Sequence, residues 1–477
     1  MKAAKHRLSL PLLWLVLAVA LSSGHRLSPF CSQVPLFDSS IFIACAQWMR
    51  DGLVIYRDLF DHKGPFIYLY DCLGLAAGGL TGLWLLDILW LVLSTLLTYR
   101  TCRLFASWQA SAVAATLCLG VLSSVAGDNT VELVALPFQG LAVWRMLSAL
   151  RRKEAMSFAD VFLSAACFAV VALLKPNITA FVCLLALAVF VQLCLQWNVR
   201  HLLRYLAAAV LGLAVVVIPV AAYLLAGHAW PDFVSAFWTF NTEYSAHQAW
   251  SERMHSSVRL IFLYTPSLLS WLFVLWACWR GCERAAMWRL LPVLVVGAWL
   301  NAGLSGFPFP HYMAPVYPML ALYAAAALQG VWSQPRPWRM LATALCLLSF
   351  GFSLRGVQRS VRLHVRSRSE MADVRAMAQY AARRVPASGS MAVLYGDANL
   401  FVLSGCRPAS KYFYQHPICR VRPSMVDSLQ ADICRRRPQL IVCPVEHIMS
   451  CPINLPTGYV RLTDAPRRFV VYGLAAD

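Results

Sequence analysis

The chain has 477 residues, 60% of them hydrophobic and only 13% charged, with a formal net charge of +19 and a mean hydropathy of +0.60. Apolar runs near the roughly 20 residues needed to cross a bilayer recur along it, which excludes a water-soluble globular protein and indicates a polytopic α-helical membrane protein. The basic residues sit in short clusters between those runs, a pattern of orientation signals rather than of a nucleic-acid surface.

Lys2, Lys5 and Arg7 precede an apolar run from Leu8 to Leu21. It reads either as a signal peptide cleaved near Ser22-Ser23-Gly24 or, preferably, as an uncleaved first span, because cleavage would leave the next loop without its anchor. Loop 25–65 follows and lies outside in either case. An apolar helix over 65–79 reads as partly re-entrant, since Gly78, Gly79 and Gly82 interrupt it before the next span. Spans over 83–101, 110–126, 131–149, 158–174, 177–195, 205–226, 258–279, 290–304, 312–330 and 338–354 bring the total to about eleven.

With the N-terminus inside, the inner connections carry Arg100 and Arg103, Arg151 to Lys153, Arg200 and Arg204, Arg280, Arg284 and Arg289, and Arg336 and Arg339. The outer connections beyond the first loop carry only Lys175, Arg253 and Arg259. This asymmetry predicts that loop 25–65 and the segments near 130, 245, 308 and 400 face the periplasm of a bacterial inner membrane. Five arginines in a basic linker, 355–368, argue the other way, but long terminal domains cross membranes largely regardless of charge.

Residues 369–477 have the composition of a small soluble α/β domain, with helices predicted over 371–385 and 424–437 and strands at 391–395, 440–442, 460–462 and 469–472. Gly396-Asp397-Ala398-Asn399 reads as a turn after the first strand. No CxxC pair occurs among the 16 cysteines, and most upstream ones lie in or beside apolar runs as small hydrophobes. Among Cys406, Cys419, Cys434, Cys443 and Cys451 an oxidising compartment would favour at least one disulfide.

The densest polar stretch is 37–66, where Asp38, Asp51, Asp58, Asp61, His62 and Lys63 interrupt an otherwise apolar chain. Ile41, Phe42, Ala44, Cys45 and Trp48 recur there at helical spacing, as in a helix lying on an apolar surface. Asp38 either caps that helix or serves as a carboxylate base. Asp58 and His62 would share a face if their segment were helical, and with Asp61 they are candidates for acceptor orientation or a divalent metal. Lys175, ending an apolar run at membrane depth, either snorkels or faces a polar cavity.

Asp38, Met49 and Gly52, Tyr56-Arg57-Asp58 and Asp61-His62-Lys63-Gly64-Pro65 together resemble the first external loop of membrane glycosyltransferases of the GT-C class. The branch is the bacterial one that includes relatives of protein mannosyltransferases and of the lipid A aminoarabinose transferase. Glu132, the pair Asn241 and Tyr244, and His311-Tyr312 are similar to further elements of that family. His62, where the lipid A branch has an acid, and Gly64 before Pro65 depart from its pattern.

The resemblance implies a GT-C-like fold and a polyprenyl-phosphate sugar donor, with a periplasmic glycan, lipid or protein as acceptor. It implies Asp38 as general base of an inverting transfer, supported by Asp58, Asp61 and His62. Lys63, Lys175 and Arg57 would hold the donor phosphate, and Glu132, Asn241, Tyr244, His311 and Tyr312 the acceptor or sugar. The competing class is a transporter or lipid-linked-sugar flippase, which should carry mid-span ionisable residues or inverted repeats; Asp87 is the main intramembrane acid.

Overall fold

The computed structural model describes every residue except 1, 196–198, 247–248, 264–283, 304–306, 308, 367, 417, 451–453 and 476–477. Among the described residues, six helices are long and apolar enough to cross a membrane: Pro65–Cys102, Trp108–Val125, Val131–Arg152, Pro176–Leu195, Arg200–Ala226 and Arg336–Arg355. Ser9–Ser22, Phe158–Leu174 and Trp288–Asn301 are shorter apolar helices. Most of the span expected over 258–279 lies outside the described residues. The chain is thus a multi-pass helical membrane protein. It divides into two compact units.

The first unit comprises residues 1–25, 84–220 and 248–360. Its helices include α1 (Lys2–Ser22), the second limb of α3 (Pro65–Cys102), α4 (Trp108–Val125), α5 (Val131–Arg152), α6 (Phe158–Leu174), α7 (Ala180–Leu195) and most of α8 (Val199–Ala226). Ser107, Thr130 and Ser157 accept from the amides of Ala110, Leu133 and Asp160, so α4, α5 and α6 begin on side-chain caps. Small residues set the closest approaches: a Cβ on Gly297 would lie 2.3 Å from the Phe181 ring. Asp87, 1% exposed, accepts the Asn129 amide at 3.0 Å and so fastens a turn in which Asp128 and Asn129 take φ of 65° and 61°. That gives the intramembrane acid a structural task.

The second unit comprises residues 26–83, 221–247 and 361–477. Helix α2 (Phe37–Arg50) buries Ile41, Phe42, Cys45 and Trp48. The first limb of α3 reverses at Gly78 and Gly79, where Gly79 takes φ of 63°. A Cβ on Gly82 would lie 2.3 Å from the carbonyl oxygen of Gly74, so only glycine permits this tight hairpin. The basic residues 355–366 belong to the helix Arg336–Arg366.

Five strands form one sheet: β1 (Ser390–Val393), β2 (Arg407–Pro408), β3 (Leu440–Pro444), β4 (Tyr459–Leu462) and β5 (Phe469–Leu474), in the order β2-β1-β3-β5-β4. β2, β1 and β3 run parallel, with Met391 opposite Leu440, and β5 and β4 complete the sheet antiparallel. All five residues of β3 are buried, as a central strand covered on both faces requires. Cys406, Cys419, Cys434 and Cys443 are free thiols; Cys451 lies outside the described residues.

Within this unit the sheet domain supplies the surface on which α2 lies. The Trp48 indole donates to the carbonyl of Cys406 at 3.1 Å and packs edge-on against Phe401 and Phe413 at 5.1 and 4.9 Å. The apolar stripe of α2 is therefore covered by protein, with aromatic pairs that each add about 0.5–1.5 kcal/mol beyond their buried area.

Candidate functional site

Asp38 stands in the first turn of α2, exposed, while Leu36 occupies the cap position and makes no side-chain cap bond. The capping alternative for Asp38 is thereby removed. Negative charge in a first turn is favoured by the helix dipole.

Downstream, residues 53–64 form turns and a short bridge between Ile55 and Leu59 rather than a helix. Tyr56 adopts φ of 71°, held by its amide bond to Leu59 O and by its hydroxyl, which donates to Lys63 O at 2.8 Å. The shared helical face expected for Asp58 and His62 does not exist. Asp58 instead turns to Arg57, which it pairs in bidentate fashion at 2.7 and 2.9 Å, and accepts the Val54 amide at 2.8 Å. Arg57 also donates to Gly227 O at 2.9 Å. Both side chains are committed to shaping the loop.

Asp61, His62 and Lys63 form a connected line. Asp61, 1% exposed, accepts Tyr68 Oη at 2.7 Å, Tyr414 Oη at 2.8 Å and the His62 amide at 2.7 Å. His62 Nδ1 lies 3.3 Å from Asp61 Oδ1, and Lys63 Nζ lies 2.6 Å from His62 Nε2. Burial, then the Lys63 charge, lowers the His62 pKa against the pull of Asp61, so the imidazole is neutral. A neutral ring that accepts from Lys63 at Nε2 carries its proton on Nδ1, facing Asp61.

Burial alone would raise the Asp61 pKa, but the His62 contact, the Lys63 charge and the Tyr68 hydroxyl outweigh it and hold the group at about 2. Asp61 is therefore an ionised anchor, shielded from acceptor protons by two phenols. The Asp38 charge adds a minor upward pull on the His62 and Tyr414 pKa values.

Asn241 Nδ2 donates to His62 O at 2.7 Å and to Phe237 O at 2.8 Å, locking the loop to a π-helical turn over Val234–Phe240. Tyr244 stacks on Phe240 and lies 5.8 Å from the His62 ring. Trp230, Val234 and Trp238 form the exposed side of that aromatic segment, while Phe233, Phe237 and Phe240 are buried.

In the first unit a second cluster forms around Glu132, 2% exposed. Lys175 Nζ pairs with it at 2.7 Å and lies 3.6 Å from the centre of the Tyr312 ring; His311 Nε2 approaches Glu132 to 4.0 Å. The site residues expected from sequence thus fall into two groups, each internally connected. Lys175 is matched by a buried carboxylate.

The metal candidates do not fit an ion: Asp58 is turned to Arg57, and Asp61 is saturated by hydroxyl and amide donors. Among the described residues no cluster of three or more His, Cys, Asp or Glu side chains is arranged to hold one.

Sequence reasoning passed over Tyr68 and Tyr414, which complete the Asp61 anchor. It also passed over Arg422, which donates to Glu243 and Ser235, and Lys411, which pairs with Asp232 at 2.9 Å. The aromatic run Tyr412-Phe413-Tyr414 in an otherwise polar segment was the available signal.

Residues 4–268, more than half of the chain, match the family described as the competence-induced protein Ccs4 N-terminal domain. The chain belongs to this family. No curated protein matches it. Among solved structures this Ccs4-family chain is similar to ArnT from Cupriavidus metallidurans in the apo state, at 17% identity over 100% of each chain with a TM-score of 0.61. It is similar to the same protein bound to undecaprenyl phosphate at 16% identity, over 98% of this chain and 99% of that one, again with a TM-score of 0.61. This likeness over the whole length shows a GT-C-like fold.

Proposed function

We propose that the chain is a glycosyltransferase that moves a hexosyl or pentosyl group, with inversion, from a polyprenyl-phosphate donor to a glycan, lipid or protein acceptor at the periplasmic face of the bacterial inner membrane. The observation that carries the reading is Asp38: an exposed carboxylate in a helix first turn, directly after Phe37, whose ring meets Tyr414 of the Asp61 anchor at 6.3 Å. A protein of the same fold has been crystallised with undecaprenyl phosphate, which supports a lipid phosphate as the leaving group.

In the proposed step Asp38 takes the proton of an acceptor hydroxyl as its oxygen bonds to the anomeric carbon. The bond from that carbon to the phosphate oxygen breaks, and polyprenyl phosphate leaves with the electron pair. Lys63 meets the growing negative charge. Its bond to His62 Nε2 orients the ammonium, and Asp61 holds the loop through the His62 backbone amide. Asn241 and Tyr244 hold this loop from outside. Glu132, His311 and Tyr312 are assigned to the acceptor, and Lys175 is the counter-ion of Glu132 rather than a donor-phosphate ligand. Asp58 and Arg57 shape the loop and take no chemical part.

Purified protein incubated with polyprenyl-phosphate sugars and periplasmic glycans should release polyprenyl phosphate, and Lys63→Ala should raise the donor KM at least tenfold. A protein that moves the donor across sealed vesicles and releases no polyprenyl phosphate with any acceptor would be a transporter, and the proposal would fail.

A further inference from the structure

Within the first unit, α5, α6, α7 and α8 surround a cavity of about 510 Å³ with almost wholly apolar walls. Its polar wall atoms are few. Ser164 Oγ is buried there without a hydrogen-bond partner. The cavity opens sideways, because Phe190, Leu202 and Leu206 line it and are yet 50%, 36% and 60% exposed.

The opening follows from how α8 is seated. Gly212 lets α8 touch α6, where a Cβ would lie 2.3 Å from Phe162 O, and Tyr205 Oη accepts the amide of Met156 in the turn before α6. α8 is thereby fastened to the α6 side, and the space toward α7 stays unfilled by protein. In water such a space would collapse or expose apolar wall at a cost of about 25 cal/mol per Å². In a bilayer it is filled by hydrocarbon.

Depth and charge identify the occupant. Along α8 the lining runs from Leu202 to Leu213, which at about 1.5 Å per residue is about 16 Å, half of a hydrocarbon core of roughly 30 Å. That depth is one leaflet, which matches an acyl chain and not a much longer polyprenyl tail. At the end marked by Met156 and Leu202, Arg152 and Arg145 are already matched by Glu154 and Asp160, each at 2.8 Å. Lys153, Arg200 and Arg204 are exposed within a turn or so of the lining residues Met156, Leu202 and Tyr205 and leave this rim positive.

We propose that the cavity holds one acyl chain of an anionic glycerophospholipid from the leaflet at its basic end, with the lipid phosphate at Lys153, Arg200 and Arg204. The lipid is a structural ligand wedged between α7 and α8, separate from any sugar donor, and the inference does not depend on the transferase reading.

The test is native mass spectrometry of the full chain released from membranes containing phosphatidylglycerol and phosphatidylcholine with matched chains. One phosphatidylglycerol should be retained per chain, at least tenfold over phosphatidylcholine, since each cation near a membrane surface contributes a several-fold preference. Ala186→Phe with Ala209→Phe fills the chamber and should abolish retention. The exposed triple change Lys153→Ala, Arg200→Ala, Arg204→Ala leaves the helix contacts intact and should keep a bound lipid but erase the preference. Equal retention of the two lipids by the unmodified protein overturns the proposal, as does an undiminished preference in the triple variant. Displacement of the retained lipid by equimolar polyprenyl phosphate would overturn it too, by making the chamber a donor site.

Discussion

Replacing Asp61 by alanine should destabilise the second unit more than any other single change in the first loop. The carboxylate accepts from Tyr68 Oη, Tyr414 Oη and the His62 amide, all at 2.7–2.8 Å, and is 1% exposed, so alanine strands three buried donors and admits little water. Each stranded donor costs about 1–3 kcal/mol, giving a loss of about 3 kcal/mol or more before the lost Lys63 attraction is counted. For a unit of this size each kcal/mol moves the melting midpoint by about 2–4 °C, so the shift should be about 6–12 °C. Trp48, packed against Phe401 and Phe413, offers a fluorescence signal for the same unit. Asp61→Asn keeps an oxygen for Tyr414 and the His62 amide and should fall between the two. A midpoint for Asp61→Ala within about 2 °C of the unmodified protein would refute the anchoring role.

His62 is held neutral with its pKa below 6.5, so the unfolded chain binds a proton first, and stability should fall as pH drops below about 6.5; melting at pH 7.5 and 5.5 should show the loss, and His62→Gln should flatten it. Asp61, held at about 2 against 3.8 when unfolded, adds stability that is full above about pH 4 and disappears only as pH falls from there toward 2, separating the two groups on one titration. In the first unit Glu132→Gln should cost about 3 kcal/mol by leaving the half-buried Lys175 charge without its carboxylate, and the double change with Lys175→Met should recover most of it; a double-mutant cycle with no coupling would remove the pair.

Much of the second unit's local structure was legible. The helical spacing of Ile41, Phe42, Cys45 and Trp48 gave α2, the glycines at 78, 79 and 82 gave the break in α3, and the β-rich runs marked four of the five strands but not the two-residue β2. What covers α2 was not legible. Trp48 meets Cys406 across 358 positions and Asp61 meets Tyr414 across 353, and a pairing between distant segments leaves no periodicity in either. The condition on which Asp58 and His62 would share a face, a helical segment, is not met for a local reason: Gly52 and Tyr56 both take positive φ, a conformation tyrosine reaches only under tertiary support, which spacing arguments do not include. The basic stretch after 355 is helical as far as Arg366, since arginine is a good helix former. Lys175 and Glu132 were each visible as candidates, but their direct pairing, which changes what Lys175 can hold, was not.

The role of Asp38 is tested by turnover of Asp38→Asn with a polyprenyl-phosphate sugar and a competent acceptor, followed through release of polyprenyl phosphate. The amide keeps the size of the carboxylate but cannot take the acceptor proton. Turnover should fall by about 10²–10⁴-fold, while melting midpoint and donor affinity stay unchanged. Turnover equal to that of the unmodified protein would contradict the assignment of Asp38 as the base.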